Sequence, residues 1–121
     1  MPRTLTASDG SVRVVSTTTT TKLAERMLAA AQVIAETLPA GFNAPLPTNI
    51  LLALFVAEEE AHYPSESEVG GPRATTDRWI AALAQAGVVE RRDGLLALSE
   101  RGHAMVQTML ERLFDAQRRL D

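Results

Sequence analysis

The chain has no cysteine among its 121 residues. Disulfides, thiolate metal sites and cysteine nucleophiles are therefore excluded. The lack is neutral to mildly favourable for a cytoplasmic protein, the compartment expected here. Aromatic residues are scarce at 4%, and alanine and leucine dominate, which leans the chain toward helix. No stretch approaches the ~18 uninterrupted apolar residues of a membrane span. The first twenty residues carry no apolar core of a secretory leader, so none is expected. No Ser-His-Asp set, paired-carboxylate cleft, phosphate-cradling glycine loop or His-x-x-x-His pattern occurs, so an enzyme is not expected, nor a metal or other cofactor. Excess positive charge is also missing: the net charge is -3. That total does not favour a nucleic-acid binder, but the sign on one face matters more than the sum.

What is present is an apolar fraction of 45%, enough for one packed domain of ordinary size. Residues 1–20 are small and polar, with five threonines at 17–21, and read as a disordered arm ahead of a single domain over 21–121. Residues 22–38 place Leu23, Met27, Ala31, Ile34 and Leu38 at helical steps. "PAGFNAP" breaks that helix. Residues 46–61 form a second helix, apolar on nearly all sides through Ile50, Leu51, Leu52, Leu54, Phe55 and Val56, and so the central buried one. Its closing run, Glu58, Glu59 and Glu60, reads as a solvated face rather than a metal site, and His62 adds little.

Ser65 and Glu68 have capping-box spacing, but Gly70-Gly71-Pro72 limits that helix to about a turn. A longer helix fits 73–86, closed by Gly87. "VVERR-DG-LLALS" reads as two short strands joined by a two-residue turn. Ser99 caps a last helix over 100–120, with Val106, Met109, Leu110, Leu113, Gln117 and Leu120 on one face. The fold class is mainly α with a small β-hairpin.

A short helix, a glycine turn, a longer helix and a hairpin form the winged helix-turn-helix plan, whose second helix lies in the DNA major groove. Arg73, Thr75, Thr76, Asp77 and Arg78 should face outward there, with Trp79, Ile80 and Leu83 inward. Arginine can fork two hydrogen bonds onto guanine, and threonine can reach a base, a thymine methyl or a phosphate. Arg91 and Arg92 alternate along a strand, so one should point to DNA backbone or solvent and the other sideways. Charge is segregated: residues 73–92 carry +2, whereas 58–68 carry -5.

Over roughly residues 22–120 the chain resembles the MarR-type winged-helix regulators. The resemblance rests on "LPTNILLALFVA", "ATTDRWIAALAQAGVVERR" and "LLALSERGHAMV", in that order and spacing. It implies a homodimer whose helices 22–38 and 100–120 interlock, acting on double-stranded DNA as a transcriptional regulator, often a repressor released by a small-molecule effector. The base-facing roles fall by position on Thr75, Thr76 and Arg78, and the wing role on Arg91 and Arg92. An effector would sit between the dimer helices and the winged part, near Phe42 and Leu46. His103 reads as a helix-start surface or dimer residue. Two features depart from the family: the hairpin closes at Asp93-Gly94 without a basic tip, and "SESE" puts two acids near the presumed DNA side. They motivate the alternative of a winged-helix protein-interaction module that has lost DNA binding.

Overall fold

Apolar stripes and turn residues divide the chain into seven elements in a computed structural model that describes the backbone of residues 10–120 and the side chains of 19–120. In order these are α1 (Gly10–Thr37), α2 (Pro45–Glu59), a 3₁₀ turn (Glu66–Glu68), α3 (Arg73–Gln85), β1 (Val89–Arg92), β2 (Leu95–Leu98) and α4 (Glu100–Leu120). The architecture is mainly helical with one antiparallel hairpin, compatible with a winged helix.

α1 departs most from expectation. It begins at Gly10 rather than at 22, so the arm expected over 1–20 is helical from Gly10, and residues 1–9 lie outside the described residues. Threonine costs only a few tenths of a kcal/mol per helical position, and no proline interrupts the segment. Of the expected stripe Leu23, Met27, Ala31, Ile34 and Leu38, only Ile34 and Leu38 pack inward. Ala29, Val33, Ile34 and Leu38 pack on the core, whereas Leu23, Met27 and Leu28 remain 57%, 65% and 72% exposed. α4 decides this by running antiparallel to α1. Arg112 Nη2 meets Glu36 Oε1 at 2.5 Å, Gln117 donates to the Arg26 carbonyl at 3.3 Å, and Lys22 donates to the Leu120 carbonyl at 2.6 Å.

α2 is the central helix, with Ile50, Leu51 and Leu54 fully buried against Ile80 and Leu83 of α3, Leu96 of β2, and Val106 and Met109 of α4. Burying each such side chain contributes about 1.5–3 kcal/mol. Only one side of α2 is covered, since Val56 stays exposed.

The hairpin follows its turn chemistry. Asp93 and Gly94 have φ of 54° and 77°, the pair of left-handed residues that a two-residue turn of matching twist requires. The register pairs Arg92 with Leu95 and Val89 with Leu98. A further extended stretch joins the sheet: Leu96 donates to the Pro64 carbonyl at 2.8 Å, Glu66 donates to the Gly94 carbonyl at 3.2 Å, and Ser65 bridges Leu95. This ties the start of the 3₁₀ turn to the hairpin.

The junction from α3 through β1 to α4 is tightly specified. Gly87, at φ +79°, ends α3; its N–H donates to the Ala84 carbonyl and that of Val88 to the Leu83 carbonyl, a Schellman closure. Ser99 caps α4 as expected: its hydroxyl accepts the Gly102 N–H at 3.0 Å and donates to the Gly87 carbonyl at 2.6 Å. Gly102 is required by approach, because an added Cβ would lie 2.0 Å from the Val88 carbonyl oxygen.

Candidate nucleic-acid interface

α3 presents its polar stripe because Thr76, Ile80 and Leu83 are the side that packs inward. Arg73, Ala74, Asp77, Arg78, Ala81 and Gln85 are left exposed, and Thr75 is half-buried at the edge. Ile80 and Leu83 face inward as expected, and the partly buried Trp79 meets Phe42 edge-on with ring centroids 6.2 Å apart.

Thr76 was expected to face outward but is fully buried. Its hydroxyl donates to the Gly70 carbonyl at 3.1 Å and lies where a side chain at Gly71 (φ +101°) would reach. Thr76 therefore braces the glycine turn from within and does not offer its hydroxyl to a ligand. The signal was in the sequence: Thr76 stands four residues before Ile80 and must share its face.

The arginines divide by partner. Arg73 donates from Nε to Asp77 Oδ1 at 3.0 Å and from Nη2 to the Glu66 carbonyl at 2.9 Å. Arg91 forks onto the Glu66 carboxylate, Nε to Oε2 at 3.2 Å and Nη2 to Oε1 at 3.0 Å. The Glu66 carboxylate holds the Arg91 guanidinium above its ordinary value, chiefly through these hydrogen bonds and then by charge. Arg78 is exposed and has no ion pair among the described residues.

Period-2 alternation puts Arg91 and Arg92 on opposite faces of β1, which separates them as expected. Arg91 lies on the side of the 3₁₀ turn and α3. Arg92 lines an open cleft of ≈ 340 Å³ with Glu58, Tyr63, Glu90, Asp93 and Leu95. The structure thus brings Arg73 and Arg91 together at Glu66, leaves Arg78 exposed and Thr75 half-buried on α3, buries Thr76, and turns Arg92 to the other face of the hairpin. It adds Glu66, an acid whose place follows from the sheet bridge at Ser65.

Glu68 closes the 3₁₀ turn. Its carboxylate accepts the Ser65 N–H at 2.7 Å, which holds it below the usual carboxylate range. His103 stands apart in the first turn of α4, its Nδ1 2.5 Å from Glu58 Oε1 and its ring stacked on Phe55 at 5.2 Å. Phe42 and Leu46 pack against the core. Besides the hairpin cleft, a second open cleft lies between α1 and α4, lined by Gln32, Glu36, Arg112 and Arg119. Among the described residues no helix is long and apolar enough to cross a membrane. No family model, curated protein or solved structure matches the chain.

Proposed function

We propose that the protein is a sequence-specific, DNA-binding transcriptional regulator of winged-helix type, a repressor that acts in the cytoplasm as a homodimer. The observation that carries this reading is the exposed N-terminal half of α3, where Arg73 and Arg78 are open to solvent and Arg73 shares Glu66 with the hairpin's Arg91. A helix so flanked fits a major groove, with Arg78 and Thr75 toward base edges and Arg73 and Arg91 toward phosphates.

Dimerisation is supported by the apolar side chains that α1 and α4 leave uncovered. Leu23, Met27 and Leu28 on α1, with Phe114 at 69% exposure on α4, are large hydrophobics on the first and last of the described helices. Two copies packing there would set a pair of recognition helices across a pseudo-palindromic site. A small-molecule effector would act between the dimer helices and the winged part.

The experiment is a gel-shift titration with the DNA upstream of the protein's own coding sequence, reading affinity and the number of chains per duplex. Binding as two chains, lost in Arg78→Ala with an unchanged circular dichroism spectrum, is the expected result. Binding unaltered by that substitution would remove Arg78 from the interface.

A second reading is favoured by the Glu66–Arg91 and Asp77–Arg73 pairs, which cancel much of the local positive charge. It is a winged-helix module that binds another protein through this face. Failure to retain duplex DNA at low salt, together with capture of a protein partner, would select it.

A further inference from the structure

Glu66 occupies a place where a DNA-binding surface has no use for an acid. It holds two arginines at once, Arg91 through its carboxylate and Arg73 through its main-chain carbonyl. These arginines come from β1 and α3, the two elements that the proposed function brings to DNA. The two-pronged geometry matters, because a guanidinium grips a phosphate with the same fork it uses on a carboxylate. An Arg91 filled by Glu66 cannot fork a phosphate at the same time.

The acid is held in position. The Glu66 N–H is tied to the Gly94 carbonyl at 3.2 Å, and the neighbouring Ser65 bridges β2. The pair is nevertheless open to water, with side chains 28% exposed at Glu66 and 42% at Arg91. Exposed pairs of this kind are weak and salt-screened, so a strongly charged competitor can displace them. The contact is an exchangeable one.

We propose that Glu66 is a built-in stand-in for DNA phosphate: it pre-orients Arg91 in the free protein and yields the guanidinium to the backbone on binding, which keeps affinity low and reversible. This rests on the DNA-binding reading above. Removing the charge at Glu66 removes the competitor and one nearby repulsion for phosphate, so affinity should rise.

The test is fluorescence anisotropy with a labelled mixed-sequence duplex across a potassium chloride series. It compares the natural protein, Glu66→Gln, Arg91→Ala, the double variant, and Glu90→Gln as a carboxylate on the opposite hairpin face. Glu66→Gln should bind about tenfold tighter at low salt, the gain shrinking as salt screens the natural pair. In the Arg91→Ala background the gain should shrink to a small charge effect of the size that Glu90→Gln gives. Thermal unfolding of each variant confirms that it is folded. If the natural protein binds and Glu66→Gln binds no tighter, the exchange idea fails alone. An equal gain from Glu90→Gln, or an undiminished gain in the double variant, overturns it as well by reducing the effect to net charge. If neither the natural protein nor Glu66→Gln binds duplex at any salt, the DNA-binding reading falls and takes this inference with it.

Discussion

Two regions of the molecule, joined by β1, are built on opposite terms. The junction at Gly87, Val88, Ser99 and Gly102 is closed and steric: Val88 is fully buried, and a single added methyl at Gly102 would collide with its carbonyl. The face formed by Glu66, Arg73, Asp77 and Arg91 is open and electrostatic, held by exchangeable ion pairs. β1 serves both, since Val89 at its start is core and Arg91 two residues later reaches Glu66. The difference teaches where stability resides and where, on the proposed function, recognition would. The junction should govern whether the domain folds, and the charged face what it binds.

The largest expected effect is at the junction. Gly102→Ala should destabilise by about 3 kcal/mol or more, because the obstacle is backbone and cannot rotate away. Chemical denaturation monitored by circular dichroism measures it. A loss below about 1 kcal/mol would mean that α4 can shift off the start of β1, and the contrast between the regions would blur.

Thr76→Val probes the boundary between them. The substitution keeps the buried shape and removes the bond to Gly70, so stability should fall by about 1 kcal/mol. Duplex affinity, measured at a temperature where the variant is fully folded, should stay unchanged. A selective loss of affinity with stability intact would return Thr76 to the recognition surface and break the division.

The smallest effect belongs to exposed carboxylates. Glu36 is held below the usual carboxylate range by hydrogen bonds from Gln32 and then Arg112, and Glu68 by the Ser65 N–H. Both carboxyls are more acidic folded than unfolded. Their stabilisation is complete above the unfolded value near 4.5 and is lost as pH falls through their lower folded values. Thermal midpoints followed downward from neutral pH should drop most steeply below that point. Glu36→Gln and Glu68→Gln should each flatten the fall slightly, and an unchanged slope in both would show that these bonds add nothing.

The legible parts of the fold carried local signals. The Asp93-Gly94 turn, the Ser99 cap, the Gly87 stop and the 100–120 helix agree with expectation because each depends on residues within a turn or two. α1 was legible as a helix, and its end through Ile34 and Leu38 as packed, but neither its start nor the phase of its earlier turns, since α4, 76 residues away at the Arg112–Glu36 pair, chooses the inward stripe. The candidate site was half legible. Arg73 and Arg91 meet at Glu66 and Arg78 is exposed, whereas Thr76 turned inward and Arg92 lies across the hairpin. The acids of "SESE" were visible in the sequence, but which arginine they meet was not.

By itself the sequence determined the order of elements, the turn types and the separation of Arg91 from Arg92, because backbone preference and side-chain period act within a few residues. Only the tertiary structure decided that Glu66 meets Arg91 across 25 residues, that Ser65 joins the sheet, and that Leu23, Met27 and Leu28 stay uncovered. Those outcomes depend on distances between segments remote in the chain, and packing of the aliphatic core around α2 sets such distances.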